Sequence, residues 1–236
     1  MMRTIGIIGG IGPESTIEYY RLILSFYREY RSDGNNPPIL INSINLKRMV
    51  DMFGENQLEE AASYLVEEIE KLEKAGASFC LLTANTPHII FESVQARSSI
   101  PLISIVEETC KHAKSLGLRR VGLFGTRFTM QGRFYEKVFG KEAIVIITPA
   151  IDDQNFIHEK YMTELISGIV RDETKEELLR IVQGLKAEQN IEGLILGGTE
   201  LSLILRDGDD EDIPFLDTTR IHAESAVREL LKESKK

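Results

Sequence analysis

Short apolar runs alternate with amphipathic stretches along the whole chain. Thr4 to Ile8 is apolar and stops at Gly9-Gly10-Ile11-Gly12-Pro13, which reads as a buried strand entering a tight turn. Pro13 suits the first turn of a helix, where no N–H is needed. Ile17, Tyr20, Leu24 and Tyr27 then recur at helical spacing as far as Tyr30. After the turn cluster Asp33 to Pro38, Ile39 to Ile44 predicts a second strand. Asn56 with Glu59 resembles a capping pair. It precedes a stripe of Leu58, Ala61, Ala62, Leu65, Ile69 and Leu72 that Gly76 closes. Ser78 to Leu82 and Pro101 to Val106 predict two more strands, the latter followed by a helix to Ser115.

The later part repeats this plan. Val121 to Phe124, Ala143 to Ile147 and Ile191 to Leu196 read as strands. Helices are predicted around Phe134 to Phe139, over Asp152 to Gly168, and after a Thr174/Glu177 capping box that leads Leu178, Val182 and Leu185. Phe215-Leu216 enters a last helix from about Thr218 to Lys232. Strands alternating with helices predict an α/β fold with mostly parallel sheets.

Two polar loops stand out against this pattern. Leu81-Leu82-Thr83-Ala84-Asn85-Thr86-Pro87-His88 and Leu194-Ile195-Leu196-Gly197-Gly198-Thr199-Glu200 each follow an apolar run. Thr86 lies 15 positions before Pro101, and Thr199 lies 15 before Pro214. Gly6 and Gly122 are 116 apart, and Thr86 and Thr199 are 113 apart. The near-constant offset indicates a duplicated α/β unit whose halves meet around Leu118-Arg119. It suggests one site between two related lobes.

Composition narrows the function. A chain of 236 residues with 42% apolar and 28% charged content is that of a globular protein of one large or two small domains. A net charge of −9 argues against nucleic acid as partner. No apolar run approaches the roughly 18 residues of a membrane span, and the start resembles no signal peptide, so a cytoplasmic location is expected. Cys80, Cys110 and the four histidines (His88, His112, His158, His222) lack metal-ligand spacing, so no metal is expected. The first glycine turn lacks the third glycine of a dinucleotide fingerprint, and the second strand ends in Asn45 instead of an acid, which excludes NAD. That turn can still bind an anion at a helix start or be a plain strand-to-helix turn. Arg48 is either a solvated charge or a loop residue near the ligand face. Arg206 to Asp212 reads as a solvated acidic loop.

Taken together, Gly9-Gly10-Ile11-Gly12-Pro13, Asn85-Thr86 with His88, Gly125-Thr126 with Thr129, Gly197 with Thr199-Glu200, and Asp217 with Ile221-His222-Ala223 resemble the aspartate/glutamate racemase family. The resemblance implies two pseudo-symmetric α/β domains, residues 1–100 plus 214–236 and residues 101–213, with the last helix returning to the first. It also implies cofactor-independent chemistry, a homodimer, and an acidic amino acid or dicarboxylate held between the lobes. In the family, one cysteine per lobe moves the α-proton. The expected substrate-binding set is Gly10, Arg48, Asn85, Thr86, Thr126, Thr129 and Thr199.

The sequence departs from the family at the decisive places. Ala84 and Gly198 stand where the motifs carry cysteine. Neither transfers a proton, and losing one positioned acid/base costs about 10²–10⁴ in rate. Weak or absent racemisation is therefore expected. Glu200 and His88 are the only titratable residues close to the two loops, and they are expected to support the loops more than to replace the thiols. The alternatives are a non-catalytic binding or regulatory protein, or a different cofactor-independent reaction on the same fold.

Overall fold

The computed structural model describes residues 3–232. The first sheet contains β1 (Ile5–Gly9), β2 (Ile39–Ser43), β3 (Phe79–Leu82) and β4 (Leu102–Ile103), all parallel, in the order β2-β1-β3-β4. Around it run α1 (Pro13–Tyr30), α2 (Leu46–Gly54), α3 (Leu58–Lys74) and α4 (Phe91–Arg97). After α5 (Ile105–Ser115) comes a second parallel sheet of β5 (Arg120–Gly125), β6 (Val145–Ile147), β7 (Gly193–Gly197) and β8 (Phe215–Asp217), in the order β6-β5-β7-β8. Its helices are α6 (Arg127–Gln131), α7 (Phe134–Gly140), α8 (Ile151–Thr163) and α9 (Asp172–Gln189), and α10 (Thr218–Leu231) ends the described chain. Each sheet has its second strand outside the first and its third inside, so the repeated loops have a repeated topology.

Two compact units result. The first runs up to Ile105 and resumes at His222, and the second spans Val106 to Ile221. Both boundaries fall later than the expected 1–100 plus 214–236 and 101–213. The reason is pairing: Leu102 and Ile103 bond to β3, while Phe215–Asp217 bonds to β7. Each Ile-Pro step therefore starts the last strand of its own sheet. Residues 1–2 and 233–236 of the expected first domain lie outside the described residues.

The first sheet is covered on both faces, which explains its near-continuous apolar strands. Ile5, Ile7, Phe79 and Leu81 pack with Tyr19, Ile23, Phe26 and Tyr27 of α1 and with Ala223, Ala226, Val227 and Leu230 of α10. Ile8, Cys80 and Leu82 join Ala61, Leu65, Ile69 and Leu72 of α3 on the other face. The α3 stripe is thus the expected one. The α1 stripe is only partly so: Tyr27 is buried as expected, but Ile17 and Tyr20 are exposed, and Tyr19, Ile23 and Phe26 are buried in their place.

Local signals were also overridden. Asn56 adopts a left-handed φ of 57° before α3, whose N-cap is Gln57 with no side-chain cap bond. α9 starts at Asp172, and the Thr174 hydroxyl donates to Glu164 instead of capping it.

α10 is tied to the first sheet by a buried polar chain. The Ile103 carbonyl can only accept, so His222 Nε2–H donates to it (2.9 Å) and Nδ1 accepts from the Tyr19 hydroxyl (2.7 Å). Tyr19→Phe would leave that nitrogen without its donor in a fully buried setting. A loss of about 1–3 kcal/mol of stability is expected, measurable by urea denaturation.

Candidate functional site

In parallel sheets, ligand-binding loops gather at the carboxyl ends of the strands, beside the point where the strand order reverses. Both repeated loops sit there. Ala84-Asn85-Thr86 follows β3, and Gly198-Thr199-Glu200 follows β7. Each of these strands lies next to the first strand of its sheet.

In the first unit the loop is held from behind. The Thr83 hydroxyl donates to the Ile8 carbonyl (3.0 Å), and Ser15 of α1 donates to the Thr83 carbonyl (2.8 Å). Thr83 therefore faces into the sheet. Ala84 is half-buried, Asn85 is buried and Thr86 is half-buried at the start of a 3-10 helix, Thr86–Ile90.

His88 lies in that helix and is 4% exposed. Its Nδ1–H donates to the Ala84 carbonyl (3.0 Å), and its Nε2 accepts from the Ile105 N–H (3.2 Å). The ring stacks on Phe91 at 5.0 Å between centroids. Burial, then the neighbouring His222, lower its pKa to about 3. With both nitrogens used and protonation disfavoured, His88 is built as a neutral clamp on the loop.

Gly10, at φ 79°, lies against the Ile44 backbone, and its N–H donates to Thr16 Oγ1 (2.9 Å). The space admits no side chain. Arg48 lies in the first turn of α2, not in a loop, because Asn45 caps that helix through the Arg48 N–H. Its exposed guanidinium lies 3.9 Å from the centre of the Tyr64 ring.

In the second unit, β5 ends at Gly125 and Thr126 caps α6 by accepting from the Thr129 N–H. The two hydroxyls are 3.2 Å apart, with Thr129 buried. After β7, Gly198 is buried and extended. The Thr199 hydroxyl donates to Glu200 Oε2 (2.6 Å), and the Tyr161 hydroxyl of α8 donates to the same oxygen. Glu200 and Tyr161 are both buried. Burial, then the adjacent Glu200 carboxylate, push the Tyr161 phenol well above its ordinary range. Sequence reading missed Tyr161, which belongs to no motif. No signal in the sequence points to it, because its contact with position 198 is made only by the fold.

Cys80 and Cys110 are both buried and free. Burial pushes the Cys80 thiol up to about 12 and, with Glu142, the Cys110 thiol to about 11. Neither is set up as a thiolate base. Among the described residues, no three His, Cys, Asp or Glu side chains converge to hold a metal ion, and no helix is long and apolar enough to cross a membrane.

The model of the Asp/Glu/hydantoin racemases matches residues 8–226, which takes in both loops. The chain belongs to this family. The broad specificity amino-acid racemase RacX of Bacillus subtilis is 28% identical over 232 residues, covering 94% of this chain and 96% of that protein. The crystal structure of a candidate Asp/Glu racemase from Yersinia pestis is 31% identical, with a TM-score of 0.91 over 98% of this chain and 100% of that one. An aspartate racemase homologue from Pyrococcus horikoshii is also 31% identical, with a TM-score of 0.86 over 97% and 99%. Membership of the family therefore extends over nearly the full length, with both sheets and both loops included.

Proposed function

We propose that the chain binds an acidic amino acid or a related dicarboxylate through the carboxyl-edge loops of its two sheets, and that racemisation is weak or absent. The observation that supports this is the pair of equivalent loops after β3 and β7, each carrying amide or hydroxyl groups, with Ala84 and Gly198 at the positions where the family resemblance implies cysteine. Asn85, Thr86, Thr126, Thr129 and Thr199 are the proposed ligand-holding groups, with Arg48 and the Gly10 turn beside them. A two-faced proton transfer needs one carrier on each face. His88 and Glu200 are engaged in holding their loops, which favours a binding or regulatory role as the second reading. The family resemblance further suggests a cofactor-independent homodimer in the cytoplasm, and light scattering would test the dimer.

Each enantiomer of aspartate and glutamate is incubated with the protein in D₂O. Proton NMR follows the α-proton, and chiral chromatography follows inversion. The expected result is binding by calorimetry with exchange at least about 10²-fold below that of a two-thiol relative. Rapid inversion that persists in His88→Gln and Glu200→Gln would sink the residue argument. Absence of binding across acidic amino acids and dicarboxylates would sink the ligand assignment.

A further inference from the structure

Gly198 does not mark an empty position. A Cβ there would lie 2.5 Å from Tyr161 Cε2, 3.1 Å from Cζ and 3.2 Å from the hydroxyl oxygen. Real side chains do not tolerate the first of these distances, so either the ring moves or no side chain fits. The ring is not free to move. It belongs to a core cluster with Phe124, Ile157 and Leu165, and its hydroxyl is spent on Glu200. Glu200 in turn accepts from Thr199, the first residue of the 3-10 helix Thr199–Leu203.

We propose that Tyr161 decides what position 198 can carry: its ring fills the space a thiol-bearing side chain would need, so Tyr161 and Gly198 are one unit. This inference rests on the reading of position 198 as the second proton-carrier position only for its functional arm. Packing alone carries the rest. The two units are then unequal. Ala84 already has its Cβ and is half-buried, so one substitution gives a thiol there. At position 198 a thiol needs two.

The test is a double-mutant cycle in the full chain with Gly198→Cys, Tyr161→Leu and the combination. Leucine keeps an apolar filling but removes the outer ring atoms. Gly198→Cys alone is expected to lower the melting temperature by roughly 5 °C, the scale of overpacking in a chain this size. In the combination the loss is expected to be clearly smaller than the sum of the single losses. Labelling of folded protein with a thiol reagent gives a second readout, because Cys80 and Cys110 are buried and provide a low background. Simple additivity, or a single cysteine variant as stable as the parent, would overturn the proposal.

The functional arm adds Ala84→Cys to each cysteine variant and measures aspartate and glutamate racemisation. The triple variant is expected to exceed Ala84→Cys/Gly198→Cys by at least about tenfold. Coupling in the stability cycle without racemisation in the triple variant would uphold the packing unit and count against the functional reading of position 198. Racemisation restored equally with and without Tyr161→Leu would refute the claim that the ring blocks a working thiol.

Discussion

Asp210→Ala is expected to destabilise the protein by about 3–5 kcal/mol, the cost of removing one partner from a buried ion pair. The carboxylate is 2% exposed. Its Oδ1 accepts from Lys186 (2.8 Å) and from the N–H groups of Asp212 (2.9 Å) and Ile213 (3.1 Å). Its Oδ2 accepts from Lys186 (2.8 Å) and Gln183 (2.7 Å). Burial opposes the charge, but Lys186 and the two N–H groups outweigh it and hold the carboxyl below its usual range. Alanine would leave the Lys186 ammonium, itself 16% exposed, with only the exposed Asp212 as carboxylate partner, and untie the segment that delivers β8 to β7. Asp212 supplies the control. It meets the same Lys186 at 2.8 Å but is 78% exposed, so Asp212→Ala should cost under about 1 kcal/mol. Urea denaturation of the two variants at neutral pH measures both. Equal losses would show that the cluster is a surface feature.

Acid sensitivity is expected to begin well above the carboxylate range. The His88 ring stays neutral in the folded chain until about pH 3, whereas in the unfolded chain it takes up its proton around pH 6.5. Below pH 6.5 the unfolded state therefore binds the extra proton, so stability falls as pH falls. The slope approaches about 1.4 kcal/mol per pH unit, and roughly 2–3 kcal/mol is lost between pH 6.5 and pH 4.5. His158, lowered by burial and then by Arg127, acts in the same direction. The Asp210 contribution has the opposite residue chemistry but the same outcome. Its carboxyl is depressed in the fold, so its stabilisation persists above about pH 4 and disappears only as pH drops through the folded value. Stability measured from pH 7.5 to 4.5 should fall with a slope that His88→Gln reduces. An unchanged slope in that variant would place the proton uptake elsewhere.

The duplication was legible because a polar loop after a buried strand is conspicuous in an apolar run, and it appeared twice at one spacing. Strand pairing was less legible. Pro101 to Val106 looks like a six-residue strand, but only Leu102 and Ile103 pair with β3, because helix α5 begins at Ile105 and its N–H is claimed by His88. The α1 stripe was misread because apolar residues line two of its faces, and only packing against α10 selects Tyr19 and Ile23 over Ile17 and Tyr20. Arg206 to Asp212 looked like a solvated loop because acidic runs usually are. The partners that bury Asp210, Gln183 and Lys186, lie more than twenty positions away in the sequence. Tyr161 was illegible for the same reason: contact with position 198 is a tertiary fact.

The place of α10 has a consequence for how the chain matures on the ribosome. Ala223, Ala226, Val227 and Leu230 close one face of the sheet that begins at Ile5, and Arg3 reaches Glu229 at 2.6 Å. The unit from Val106 to Ile221 is continuous and holds all of its strands by the time Asp217 has emerged. The earlier-synthesised unit, by contrast, waits with an apolar face uncovered until α10 is added. Translation and completion thus run in opposite order. A nascent chain stalled shortly before His222 would hold a finished later half and an unfinished earlier one, and the earlier half is where a chaperone would be needed.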